Sequence, residues 1–260
     1  MSLTAAQFAR AAAAEASHLR MIRLQRMSYH ELQRLLRGDP AQAAVWIRSA
    51  AEYGVPAAQL RLGRMLLEGA GVALDQDAAF WWFRRAADQA DAEAMNMVGR
   101  CHEHGWGTPL DLLGAAARYR ASAERHHDWG QYNLGNLLFD GRGVARDPGQ
   151  ALTWYLRASR RGHARAMNLL GRCLEQGWGC ARSPGDALHW YRQSAHAGYF
   201  RGQFNYAAVL AERGLAVAAA AWFWQAARCG NAPIRRAIAG VLSASQDPAL
   251  IRVRQRVAAL

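Results

Sequence analysis

Apolar residues recur along this chain at helical spacing. Ala58, Leu62 and Leu66 fall at i, i+4 and i+8, one buried stripe of a helix expected over Ala57–Glu68. Asp77–Gln89 sets Ala79, Trp82, Phe83 and Ala86 on one face of a second helix, with Asp77 as its candidate N-cap. Gly63 sits inside the first helix, where Gly costs about 1 kcal/mol relative to Ala. Gly69 and Gly71 end that helix and supply the positive φ of a C-cap and a tight turn.

This two-helix unit repeats. Gly63, Gly99, Gly135 and Gly171 are 36 residues apart, as are Gly69, Gly105, Gly141 and Gly177, and Gly71, Gly107, Gly143 and Gly179. Ala43, Ala79, Ala115, Ala151 and Ala187 keep the interval, and so do Trp46, Trp82, Trp154 and Trp190. Registers in phase mark stacked supersecondary units. A glycine kept inside a helix four times over predicts a neighbour packed too closely for a side chain. The second helix usually stops at Gly54, Gly162, Gly198 or Gly230, but Ala90 and His126 take that place in two units and predict strained turns there. Arg118 replaces the Trp of the second unit, thinning its packing.

The third unit carries the pattern most fully: Gln131-Tyr132-Asn133-Leu134-Gly135, then Asp140-Gly141-Arg142-Gly143-Val144, then Ala151-Leu152-Thr153-Trp154-Tyr155 with Ala158. This resembles the Sel1-like repeat family, relatives of the tetratricopeptide repeats, over about Ala41 to Gly230. The resemblance implies an all-α, right-handed α-α superhelix with a concave face lined by the first helices, acting as a protein-interaction scaffold. The fifth unit is four residues shorter, with the loss between Gly214 and Ala221, and Ala207 replaces its first-helix Gly. The expected organisation is a helical N-terminal cap over 1–40, repeats over 41–230 and a helical C-terminal cap over 231–260, broken at Asp247-Pro248.

Composition narrows the chemistry. The 260 residues carry 32 basic residues, every one Arg, and 20 acidic ones, a formal net charge of +12. Without Lys there is no Schiff-base lysine and no phosphate-loop lysine. Neither G-x-S-x-G nor H-E-x-x-H occurs, and the Gly-x-Gly turns look like nucleotide motifs only until their period is noticed. The expectation is no enzyme and no cofactor. Residues 129–230 carry 12 Arg against 5 acids, whereas 41–128 carry 9 against 11. A basic half suits an acidic protein or nucleic acid, and compositional drift is the simpler cause. Arg10 and Glu15 interrupt the apolar start, and the most apolar stretch, Leu215–Trp224, is half a membrane span. A cytoplasmic chain with reduced cysteines and no membrane contact is expected.

Several residues invite functional readings. With Ala58, Leu62 and Leu66 buried, Arg61, Arg64 and Glu68 fall on the opposite side of the helix. Shifting by 36 gives Met97, Arg100 and His104, then Asn133, Asn136 and Asp140, then Leu169, Arg172 and Gln176. Arg64, Arg100 and Arg172 form a row suited to carboxylates, so an extended, partly acidic peptide is the expected partner. Trp106 and Trp178, 72 residues apart in the variable site of the turn, are loop anchors or packing residues. Cys101, His102, His104, His126 and His127 fall in one unit and could ligate iron or zinc, although His102 and His104 cannot share a helix face. Cysteine-rich relatives in this family pair cysteines within repeats. Here Thr108 stands opposite Cys101 where Cys180 follows Cys173, so free thiols are expected. The sequence points to a non-enzymatic adaptor, with metal handling and nucleic-acid binding as alternatives.

Overall fold

The fold is that of a computed structural model, which describes residues 4–260. It is all-α, and no strand occurs among the described residues. The helices are α1 (Ala5–Arg26), α2 (Tyr29–Arg37), α3 (Pro40–Glu52), α4 (Pro56–Glu68), α5 (Gln76–Ala87), α6 (Ala92–His104) and α7 (Leu112–Glu124). They continue as α8 (Asp128–Asp140), α9 (Pro148–Arg160), α10 (Ala164–Gln176), α11 (Pro184–His196), α12 (Phe200–Glu212), α13 (Ala216–Cys229), α14 (Ala232–Val241) and α15 (Pro248–Ala258). Two compact units divide them, Met1–His126 and His127–Leu260. In the first, α4 pairs with α5 and α6 with α7, while α1 and α2 pack on α3. In the second, α8–α9, α10–α11 and α12–α13 pair, and α14 and α15 pack on α13. The first three residues of the expected N-terminal cap lie outside the described residues.

One contact closes each hairpin. A Cβ added to Gly63 would lie 2.5 Å from the Phe83 ring, and one on Gly99 would lie 2.7 Å from Tyr119. In the second unit the pairs are Gly135 with Tyr155 at 2.6 Å and Gly171 with Tyr191 at 2.7 Å. The close neighbour predicted by the glycine register is therefore an aromatic ring on the partner helix. These rings are 2% exposed or less. Burying one contributes roughly 1.5–3 kcal/mol, which outweighs the roughly 1 kcal/mol cost of the helical glycine. In the shortened hairpin Ala207 takes the glycine's place, and Phe223 packs instead against Phe204 at 5.8 Å.

The hydroxyls of these rings follow their surroundings. Tyr119 donates to Glu103 at 2.6 Å and Tyr191 to Glu175 at 3.0 Å. Tyr155 donates to Asn136 at 2.9 Å, because Phe139 stands in the register of those glutamates. Phe83 and Phe223 face hairpins whose equivalent residues are Leu67 and Ala211. A buried hydroxyl without an acceptor is destabilising, so Tyr appears where an acceptor is present.

The turns repeat as regularly. Gly69, Gly105, Gly141 and Gly177 are left-handed C-caps of α4, α6, α8 and α10. At Gly71, Gly107 and Gly179 a side chain would collide with the backbone of Pro40, Gln76 and Pro148 respectively. Each of these turns is thus seated on the start of the preceding second helix. The N-cap of α5 is Asp75 and not Asp77: its carboxylate accepts the Ala78 N–H at 2.9 Å. Asp111 and Asp147 cap α7 and α9 in the same way. Asp77 lies inside the first turn, where its charge suits the helix dipole without capping it.

The two unusual terminators keep the glycine conformation. Ala90 has φ 64° and His126 φ 61°, beside Gly54 at 87° and Gly162 at 89°. A Cβ in this region costs roughly 1–2 kcal/mol, while a glycine gives back roughly 0.4–1 kcal/mol through the unfolded chain. Ala90→Gly and His126→Gly are therefore each expected to raise stability by about 0.5–1 kcal/mol, read from urea denaturation midpoints. Gly135→Val should lower stability by about 1–3 kcal/mol by driving into the Tyr155 ring. Gly185→Ala, which meets open space, should leave the midpoint unchanged or raised. Equal melting of the Gly135→Val variant and the parent would remove the ring contact as the closing element.

Candidate partner-binding face

The expected surface residues sit on the first helices, and their environments differ. In the first unit Arg61 is exposed and donates to the Leu36 carbonyl at 3.3 Å. Arg64 is paired with Glu93 across α4 and α6, and Glu68 is exposed. Met97 is a correction: it is 4% exposed and belongs to the core. An Arg at this register reaches water with its charged head, whereas an apolar thioether collapses onto its neighbours. Its sulfur receives the Arg100 guanidinium N–H at 3.7 Å.

Arg100, His104 and Trp106 form one constellation. The Arg100 guanidinium carbon lies 5.0 Å from the centroid of Trp106, and the His104 ring is 4.6 Å from it. Trp106 is half-buried at the edge of the core. The second unit repeats the arrangement: Arg172 lies 5.3 Å over Trp178, whose ring packs on Phe139 at 5.3 Å. Asp140 and Gln176 are exposed, while Asn133, Asn136 and Leu169 are half-buried. Asn136 is engaged by Tyr155, and Gln176 donates to Glu175 at 3.3 Å.

Loop tryptophans and helix arginines, separate in the sequence, are thus partners in space. The signal was available, because Arg100 to Trp106 and Arg172 to Trp178 share one six-residue interval, repeated after 72. A guanidinium held over a ring gains roughly 0.5–1 kcal/mol at an exposed site and keeps its N–H edges for a carboxylate. Its side chain is ordered before a ligand arrives, which lowers the entropic cost of capture.

The candidate metal ligands are not brought together. Among the described residues no group of three or more His, Cys, Asp or Glu could hold an ion. Cys101 is fully buried, and burial pushes its thiol up to about 12, away from the thiolate a metal needs. His102 turns its ring onto Phe80 at 5.4 Å, while His104 lies on Trp106. His126 occupies the left-handed turn, and His127 caps α8 by accepting the Gly130 N–H at 3.2 Å. All four cysteines are free thiols, including Cys173 and Cys180.

The model of the Sel1 repeat matches residues 26–54, 56–91, 92–125, 130–163 and 164–199. The chain belongs to the Sel1 repeat family. A Sel1 repeat protein from Oxalobacter formigenes has a similar structure, with TM-score 0.77 and 25% identity over 89% of this chain and 99% of that one. A protective antigen of uropathogenic Escherichia coli with an SLR fold gives TM-score 0.58 and 26% identity, over 89% of this chain and 60% of the other. An immunity protein from Pseudomonas aeruginosa shares the fold at TM-score 0.51 and 18% identity, over 94% and 81% of the two chains. A search of curated proteins returns no match.

One further residue of the Sel1 array carries electrostatic consequence. His163 caps α10, its Nδ1 accepting the Ala166 N–H at 3.1 Å, and is 5% exposed. Its ring stacks on Tyr132 at 4.7 Å and stands edge-on to Trp129 at 4.5 Å. Burial, with Arg165 adding to it and Asp128 opposing, lowers its pKa from 6.5 to about 4. The neutral ring is the folded form, so its contribution is complete above pH 6.5 and is lost as pH falls from 6.5 towards 4. Acidification over that window is expected to remove on the order of 2–3 kcal/mol. His163→Asn, which keeps a cap acceptor, should flatten the dependence of the denaturation midpoint on pH between 7.5 and 4.5. An unchanged slope would mean that other histidines carry it.

Proposed function

We propose that this Sel1 repeat protein is a non-enzymatic adaptor that captures an acidic, extended segment of a partner protein on its first-helix face. The observation that carries this reading is the pair of guanidiniums held over loop tryptophans, Arg100 on Trp106 and Arg172 on Trp178, at one register of the repeat. Each pair offers an apolar ring edge and an ordered cation side by side, the composition of a protein–protein anchor. Arg64, at the same register, pairs with Glu93, which supports a carboxylate as the partner chemistry of this position.

The residues proposed to line this face are Arg61, Arg64, Glu68, Arg100, His104, Asn133, Asn136, Asp140, Leu169, Arg172 and Gln176, with Trp106 and Trp178 as anchors. Met97 leaves that set because it is core. No helix among the described residues is long and apolar enough to cross a membrane. The buried free thiols Cys101 and Cys173 suit a reducing compartment, and a cytoplasmic setting is part of the proposal.

Replacing Arg64, Arg100 and Arg172 together by Glu should abolish capture of long, extended Asp/Glu-rich peptides from an immobilised peptide array at dilutions too low for a short acidic peptide to bind. The native partner taken up from cell extract should be lost with them, while helicity by circular dichroism stays intact. Retention of the same peptides by the folded triple variant would move the site off the first helices. Capture of duplex DNA that weakens steeply with salt would favour nucleic acid instead.

A further inference from the structure

The C-terminal part of the second unit holds a differently built cavity. It has a volume of about 870 Å³ and lies among the end of α11, α12, α13 and α15. Gln203 reaches it from α12 and is only 6% exposed. Its Nε2 donates to the Ala195 carbonyl at 3.5 Å, and its Oε1 has no donor. A desolvated amide oxygen without a partner is unfavourable and calls for an N–H.

The repeat itself shows which donor fits. Gln59 occupies the same register in α4 and makes the same bond, Nε2 to the Ala51 carbonyl at 3.1 Å. There the Oε1 is satisfied, because the Gln89 carboxamide donates to it at 2.8 Å. Gln131, at this register in α8, has a buried Oε1 in the same state as that of Gln203, so the cavity and the two arginines beside it are what single out Gln203. Allowing for the four-residue contraction, the residue in the Gln89 register of the last hairpin is Cys229, an exposed thiol. The missing partner of Gln203 is therefore an amide N–H, the donor that every peptide backbone carries.

The rest of the lining supplies the second requirement. Arg252 and Arg256 lie one turn apart on α15, and no Asp or Glu lines the cavity. Arg256 lies 3.8 Å above the Trp224 ring, which fixes its fork, and Trp222 stands edge-on to His196 at 5.1 Å. A fixed guanidinium beside a second one matches a carboxylate.

We infer that this cavity is a second peptide site, which takes a short acidic segment with a carboxylate on Arg252 and Arg256 and an amide N–H on the Gln203 Oε1. It uses no residue of the first-helix face and stands or falls separately from that reading.

The test uses the full chain and a fluorescein-labelled pentapeptide, Gly-Gln-Glu-Glu-Gly, followed by anisotropy. Saturable binding is expected, with Gly-Gln-Gln-Gln-Gly at least about tenfold weaker. Two variants report on the cavity, Arg252→Gln with Arg256→Gln, and Gln203→Met. Met95 and Met167 occupy the Gln203 register in α6 and α10, so methionine fits there. Binding is read in the Arg64, Arg100 and Arg172 to Glu background, which silences the first-helix face and should keep the pentapeptide, and each cavity variant added to it should weaken binding about tenfold with helicity unchanged. If the double arginine variant loses helicity, Arg252→Gln alone gives the same readout. The inference is overturned by non-saturable binding, by equal binding of the glutamine peptide, or by unchanged affinity in the cavity variants. Displacement of the peptide by adenosine monophosphate at lower concentration than by unlabelled peptide would also overturn it, in favour of a phosphate site.

Discussion

An aromatic ring can lie flat against a helix only where the residue beneath it has no Cβ, and this requirement organises both units. Gly63 under Phe83 and Gly135 under Tyr155 set the spacing of each hairpin, and the tyrosine hydroxyl then selects an acceptor on the facing helix. Once the hairpin spacing is set, its turn must reach the preceding second helix, which forces backbone against backbone at Gly107 on Gln76 and at Gly179 on Pro148. A helical glycine is poor locally and good globally. Its local cost is smaller than the burial it permits, so it recurs wherever the ring recurs.

The absence of lysine shapes the surface that this packing leaves behind. An ammonium is a strongly hydrated point charge, whereas a guanidinium lies on an aromatic face and still presents donors at its edge. Arg157 over Trp154, Arg165 over Trp129 and Arg172 over Trp178 show the arrangement in the second unit, and Arg85 over Trp81 in the first. The exposed rings of Trp129 and Trp81 are thereby covered by cations of the same chain. A base would have to displace a guanidinium to stack on them, whereas a carboxylate can add to the edge of the pair as it stands. That difference, more than net charge, supports the acidic segment proposed above over nucleic acid.

Much of this was legible in the sequence because packing imposes a period. The glycine registers gave the helix boundaries to within a residue or two, and Ala90 and His126 announced their left-handed turns by standing in a glycine position. What escaped notice depends on individual side chains. Asp75 caps α5 because its backbone is extended there, while Asp77, two residues on, is equally plausible in one dimension. Met97 and Arg61 share a register and not a fate, since chain chemistry decides whether a side chain at the rim folds inward or reaches water. The His/Cys cluster is close in sequence, but capping, a turn and the core draw its members to separate tasks.

A repeat protein also makes its exceptions readable, because each register supplies its own comparison. Residues dictated by hairpin closure return every 36 positions, whereas Arg100 with Trp106 and Arg172 with Trp178 return only after 72. The buried glutamine register is the clearest case. Gln59 is satisfied from within, Met95 and Met167 remove the polar group altogether, and Gln131 and Gln203 both keep a buried carboxamide whose Oε1 meets no donor. The fold thus tolerates methionine at this position, so an unsatisfied amide beside two arginines is not a requirement of packing. What sets Gln203 apart from Gln131 is the cavity and the arginine pair at its side, which offer its carboxamide a ligand to meet.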